Sequence, residues 1–202
     1  PNLNITVNDN NYPKNHKQIF KNYYVKASYN SCCADGYKNN WVNKFSLIKN
    51  IELGVRFLDF EIYSLNNQPI VAASTANNKN IKETYNYLKL SHVFEILHSN
   101  AFNEETTQSY SDPMIIHLRL MTENVNIYDL IAGYIKKNLN KNNNYLLDNK
   151  KTIGHPNFDP KKDILNAKLE LFAKKFIIIA YQSDSVLQNS KLKNYVNLRS
   201  GS

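Results

Sequence analysis

The chain has 202 residues, 42% hydrophobic and 21% charged, which suits one folded domain or part of a larger one and excludes compositional disorder. A net charge of +8 suits an anionic lipid surface, nucleic acid or an acidic protein, but no stacking-aromatic motif or groove-reading helix supports nucleic acid. No apolar run approaches the roughly 20 residues needed to cross a bilayer, and the opening PNLNITVNDNNYPKNHKQ lacks the apolar segment of a secretory signal. A cytoplasmic setting is expected. Adjacent Cys32 and Cys33 agree with it, since neighbouring cysteines rarely meet disulfide geometry and are too few for a zinc site. The wealth of Asn, Lys, Ile and Tyr, with five Gly, is the style of an AT-rich genome (a parasite, a slime mould or a large DNA virus), so virion association is the other expected setting.

In chain order, YYVKAS (23–28) has strand composition, and a polar loop with Asp35-Gly36 follows. WVNKFSLIKNIELG puts Trp41, Val42, Phe45, Ile48 and Ile51 at helical spacing, predicting core packing around Trp41, with Gly54 as the cap. VRFLDFEIYS (55–64) is a strand with Phe57, Asp59 and Glu61 on one face and Leu58, Phe60 and Ile62 on the other. PIVAAS (69–74) is a short strand and LSHVFEILHSNAF (90–102) an amphipathic helix. DPMIIHLRLM (112–121) is apolar on both faces, as a buried parallel strand would be. NIYDLIAGYIKKNL (126–139) reads as a helix, 140–161 as a polar loop, and FIIIAY (176–181) as a strand after a turn or short helix. The alternation predicts α/β architecture with too few strands to close an eight-stranded barrel.

These pieces resemble, from about residue 20 to 183, the X region of phosphatidylinositol-specific phospholipase C, the first half of that family's TIM-type barrel. The family's Ser-His-Asn-Thr strand end reads Ser28-Tyr29-Asn30-Ser31, and its Gly-Cys-Arg with Glu-x-Asp reads Gly54-Val55-Arg56 with Asp59-Phe60-Glu61. Its Pro-x-Val-x-His-Gly-His-Thr reads PIVAAST (69–75), and its Ile-Leu-Ser-Leu-Glu strand reads DPMIIHLRL. KLELFAKKFIIIAYQ follows its Lys-Gly-Lys-x-Leu-Ile stretch. The resemblance implies a TIM-barrel-like α/β domain over 20–183, incomplete in this chain. A polar arm (1–19) precedes it, and a linker or the start of the second barrel half (184–202) follows.

The resemblance also implies a phosphodiesterase in which two histidines handle charge and protons and calcium lowers the pKa of an inositol hydroxyl. Here the first histidine falls on Tyr29 and the second on Ala73. The carboxylate of the later strand falls on Arg119, and two inositol-phosphate lysines fall on Ala180 and Gln182. Asn30, Asp59 and Glu61 survive. A phenol with pKa near 10 is no imidazolium at neutral pH, and alanine transfers no proton. No histidine lies between His16 and His92, so no slip in alignment restores the second one.

The expected reading is therefore a catalytically inactive member serving as a structural or binding module, docking on an assembly partner or an anionic lipid surface. The alternative is an active, calcium-independent phosphodiesterase with Arg119 in the metal's role. Arg119 is then either a charge for the anion or half of a structural ion pair with Asp59 or Glu61. His117, on the same strand face, is either an unorthodox base or a satisfied core histidine. No cofactor is expected, calcium entering only under the active alternative. His16, His92, His98 and His155 form no cluster, and Cys32 and Cys33 read as small buried hydrophobes rather than nucleophiles.

Overall fold

The computed structural model describes residues 18–33, 41–74, 82–141, 144–181 and 184–200. The Asp35-Gly36 turn, His16, Thr75, Gln182 and most of the 1–19 arm lie outside the described residues. The strands are β1 (Ala27–Ser28), β2 (Phe57–Leu65), β3 (Gln68–Ala72), β4 (Leu88–Lys89), β5 (Met114–Leu120), β6 (Phe176–Tyr181) and β7 (Leu198–Arg199). The helices are α1 (Lys44–Glu52), α2 (Leu90–Asn100), α3 (Val125–Tyr134) and α4 (Asp184–Gln188). They build a mixed α/β domain on one sheet ordered β4-β3-β2-β5-β6-β7, with β1 also on β2. β1, β5, β6 and β7 are joined by parallel pairing through β2, whereas β3 and β4 are antiparallel. The sheet is open, as part of a barrel would be.

Strand alternation sorts the sheet into two faces. Leu58, Phe60 and Ile62 join Ile116, Leu118, Leu120 and Ile178 under α1, α2 and α3 in one large core, all at most 1% exposed. Each such side chain contributes about 1.5–3 kcal/mol by leaving water. On the other face Phe57, Ile115, Ile177 and Ile179 pack on Phe20, Tyr23, Ile164, Leu169 and Phe172. Tyr63, Ile70, Ala72 and Met121 form a small third cluster on that face. Asp59, Glu61, His117 and Arg119 lie between these two apolar groups by strand position.

One edge of β2 is shared. β1 pairs with Phe57 and Leu58, and β3 returns to pair with Glu61 through Leu65. The β2–β3 turn is the two-residue Asn66-Asn67, both with positive φ (49° and 57°), which suits the twist of a tight hairpin. The ends of β1 and β3 therefore meet beside Asp59–Glu61, where backbone groups leave the ladder and turn to side chains.

Several expectations change. Tyr23–Lys26 is not part of a strand; Phe20–Asn22 forms a single 3₁₀ turn, the Lys26 carbonyl accepts from the Arg56 and Phe57 amides, and the ladder with β2 is Ala27–Ser28. Trp41 and Phe45 are 53% and 66% exposed rather than core. α1 starts at Lys44, capped by Asn43 Oδ1 accepting from the Phe45 amide, so its inward face is Leu47 and Ile51, one turn apart. Val42, ahead of the helix, is buried instead, its amide and carbonyl both paired with the Asn86 side chain at 2.8 Å. The expected helix over 126–139 is present, Ile135–Leu139 continuing α3 as a π-helical turn with Ile135 and Leu139 buried. The stretch 140–161 is not simply solvated loop, since Leu146 bridges to Phe176 and Asn149–Lys151 forms a 3₁₀ turn. In the stretch read as a linker or the start of the second barrel half, Leu198–Arg199 forms β7 in parallel beside β6.

Gly54 ends α1 in the left-handed region at φ 76°, its amide bonding to the Ile51 carbonyl and that of Val55 to the Asn50 carbonyl. Gly54→Ala is expected to cost about 1–2 kcal/mol of stability through the Cβ clash of that conformation. A urea midpoint that falls with an unchanged slope checks this; no shift would mean the helix end relaxes freely.

Candidate functional site

The inner face of β2 carries two carboxylates two residues apart, and β5 lies beside it in parallel register, Asp59 opposite His117 and Glu61 opposite Arg119. Asp59 and Glu61 are 4% and 2% exposed. Buried like charges at this separation need a cation, and Arg119 supplies it. Its Nε donates to Asp59 Oδ1 (2.9 Å) and its Nη2 to Asp59 Oδ2 (2.7 Å), a two-pronged grip. Nη1 donates to Glu61 Oε1 at 2.6 Å and Nη2 to Asn30 Oδ1 at 2.5 Å. Above the guanidinium plane lies the Tyr29 ring, 4.5 Å from Cζ, exposed to 68%.

The loop after β1 is shaped around this group. Asn30 takes a left-handed backbone (φ 44°), which asparagine tolerates, and its amide donates to Asp59 Oδ2 at 3.0 Å. The Ser31 amide donates to the Asp59 carbonyl, and Ser31 Oγ accepts from the Asp59 amide at 2.9 Å. Glu61 Oε2 accepts from the Tyr63 hydroxyl (2.7 Å) and the Ser74 amide (2.8 Å). Behind the carboxylates, the space bounded by Cys32, Cys33, Val42, Phe60 and Val71 is too tight for a water molecule.

His117 extends the network. Its Nδ1 lies 2.8 Å from Asp59 Oδ1 and its Nε2 2.5 Å from Ser200 Oγ, with its side chain 14% exposed. Burial alone would raise the Asp59 pKa, but hydrogen bonds from His117, Arg119 and the Asn30 amide outweigh it and hold the carboxyl below its ordinary value. The Arg119 pKa moves upward: burial opposes the charge, but Asp59 and Glu61 more than offset it. Burial pushes the Cys33 thiol up to about 11, with Glu61 adding to the effect, and pushes Cys32 up further, so neither is a thiolate.

Asn30, Asp59, Glu61, His117, Arg119 and Tyr29 thus form one cluster. Ala73 does not join it. It follows β3, fully buried, its carbonyl taken by the Glu83 and Thr84 amides, and Ala72 is the register partner of Glu61. Ala180 packs into the helix-covered core, facing away from the cleft, and Gln182 lies outside the described residues. Tyr63 was legible, being two residues past Glu61 on the same face; Ser74 and Ser200 carry no signal of spacing. Calcium does not fit this arrangement. Asp59 Oδ1 and Oδ2, Glu61 Oε1 and Asn30 Oδ1 are all turned onto a fixed cation. Among the described residues no group of three or more His, Cys, Asp or Glu could hold a metal ion.

No family model and no curated protein sequence matches the chain. Solved structures do. The S. officinalis PLC21 crystal structure aligns with TM-score 0.63 at 17% identity over 90% of this chain and 24% of that one. The L. pealei PLC21 structure aligns with TM-score 0.65 at 15% identity over 93% and 24%. A calcium-dependent phosphoinositol-specific phospholipase C from Pseudomonas sp. aligns with TM-score 0.55 at 10% identity, covering 92% of this chain and 67% of that one. The chain has a fold like that of phosphatidylinositol-specific phospholipase C, and it spans about a quarter of the length of the two PLC21 chains.

The lowered Asp59 pKa fixes the sign of an acid dependence. Stability from this carboxylate is present above its unfolded pKa of about 3.9 and is lost as pH falls from there through the lower folded value. Melting temperature is expected to drop below about pH 4, and Asp59→Asn, less stable at neutral pH, to show a flatter drop. Parallel melting curves for the two proteins from pH 6 to 2.5 would refute this assignment.

Proposed function

We propose that this domain is a phospholipase-C-like module that no longer cleaves phosphodiesters and acts by binding, docking on anionic lipid surfaces. The observation that carries the reading is the Arg119 guanidinium seated among Asp59, Glu61 and Asn30, where a calcium-dependent enzyme would need those oxygens for its metal. The two positions that handle charge and protons in the phospholipase C family hold no imidazole either. Tyr29 spends its ring on Arg119, and Ala73 has nothing to donate. A positioned acid or base contributes about 10²–10⁴-fold to a rate, so losing two removes most of the catalysis even though such losses do not add.

Lipid docking is supported by an exposed patch around the start of α1. Trp41 packs against Tyr85 at a tilt, 5.5 Å between centroids, and Lys44 lies over the exposed Phe45 ring at 5.2 Å. Aromatic bodies with a flanking amine suit the headgroup region of an anionic membrane, and the net charge of +8 adds long-range attraction. A protein partner in the cytoplasm or a virion is the competing occupant. The active alternative, a calcium-independent phosphodiesterase, draws support from the guanidinium and the Asp59–His117 pair beside the cleft.

Purified protein is expected to release no inositol phosphate from phosphatidylinositol vesicles, with calcium or with EDTA. Metal-independent release abolished by His117→Ala would establish the active alternative. In flotation, the protein is expected to rise with phosphatidylserine vesicles, to be released by moderate salt, and to lose binding in Trp41→Ala/Phe45→Ala. Absence of flotation would hand the patch to a protein partner.

Arg119→Ala leaves two buried carboxylates uncompensated and is expected to cost roughly 3–5 kcal/mol. That corresponds to a fall in melting temperature of roughly 6–20 °C. Millimolar calcium is expected to restore part of it in the variant and to leave the parent unchanged. Equal stabilisation of both proteins by calcium would show that Arg119 does not stand in for a cation.

A further inference from the structure

Asp59, His117 and Ser200 lie in a hydrogen-bonded line, 2.8 Å and 2.5 Å per step, assembled from β2, β5 and the end of β7. A carboxylate only accepts, so the hydrogen of this contact sits on His117 Nδ1. In the neutral ring the Nε2 lone pair then faces the Ser200 hydroxyl. That is the order of groups that activates a serine: nucleophile, base, and a carboxylate that fixes tautomer and ring plane. We propose that Ser200 is a nucleophile activated by His117, with Asp59 as the positioning residue, and that the domain hydrolyses carboxylic esters through an acyl-serine.

Sheet pairing does not require the hydroxyl to be where it is. The Ser200 amide already donates to the Ala180 carbonyl at 3.0 Å, which holds the strand end without the side chain. Leu198, two residues earlier, packs on the inner-face cluster with Ile179, and alternation puts Ser200 on the same face. Ser200 is only part-buried, so a substrate can approach. Arg119 grips both oxygens of the same Asp59, sharing Oδ1 with His117, which prevents the carboxylate from swinging away from the imidazole.

In the reaction Ser200 Oγ forms a bond to the ester carbonyl carbon while its proton passes to His117 Nε2. The carbon–oxygen bond to the alcohol then breaks, and the alcohol leaves with that proton. Water, deprotonated by the same nitrogen, attacks the acyl-serine; Oγ regains a proton and the carboxylic acid departs. No other reactant is needed. An alcohol is the better leaving group, so esters rather than amides are the substrate class.

The test is covalent labelling of the full chain by an alkyl fluorophosphonate. Oγ displaces fluoride, so the adduct is read by mass and mapped by peptide. The expected result is one adduct on Ser200, absent in Ser200→Ala and formed at least about tenfold more slowly in His117→Gln. Both variants are first checked by melting temperature, and Asp59→Asn, at a pH where it remains folded, is expected to slow labelling without moving the mapped site. If Ser200 stays unmodified, or His117→Gln reduces labelling by less than tenfold, the contact is a strand pin and the inference is overturned.

Discussion

Two carboxylates one pleat apart on the same inner face, sealed from water, require a cation, and this constraint organises the whole upper layer of the sheet. A divalent metal or a guanidinium satisfies it, and the two leave different surroundings. A guanidinium is planar and offers five donors in a fixed fork, so its neighbours must be acceptors in its plane and a ring above it. Asp59, Glu61 and Asn30 supply the acceptors and Tyr29 the ring. An imidazolium at position 29 would set a second positive charge over the first. Tyrosine at the strand mouth and arginine on β5 are therefore one solution in two places.

The fold delivers this arrangement because β2 shares an edge. β1 arrives from one end, the β2–β3 hairpin returns from the other, and between them the backbone amides of Asn30 and Ser74 are released to donate to Asp59 and Glu61. Apolar clusters on either side keep the layer dry, which strengthens each of these contacts and makes a missing partner costly. The packing is not free of cost. Asn30 Nδ2 is buried without a partner among the described residues, while its Oδ1 and amide are both committed.

What the sequence made legible was what period and local chemistry carry. The alternation in FLDFEI separated core from cleft correctly, the apolar run of β5 indicated a two-sided parallel strand, and Gly54 marked its helix end. Trp41 misled because spacing alone does not say where a helix starts. The Asn43 cap turned the face so that Leu47 and Ile51 point inward and the indole lies outside on Tyr85. Tyr23–Lys26 has strand composition but lies outside the strands, meeting the β2 segment where the Lys26 carbonyl accepts from the Arg56 and Phe57 amides. Ser200 was beyond reach, since it lies 83 residues from His117 and only the placement of β7 against β6 brings them together.

On the reading proposed here, the change of cation also accounts for why such a site would not drift back. A metal keeps open positions through which it can polarise a hydroxyl, whereas Arg119 spends its donors on the protein itself. Placing histidine at 29 alone would set an imidazole against the guanidinium it would have to share the cleft with. Exchanging Arg119 alone for a carboxylate would bury three negative charges with no cation. Changing Ala73 alone would force an imidazole into a fully buried position whose carbonyl already closes on Glu83 and Thr84. Each single step costs stability before any chemistry is recovered, so the guanidinium arrangement is held in place by folding, independently of what the domain binds.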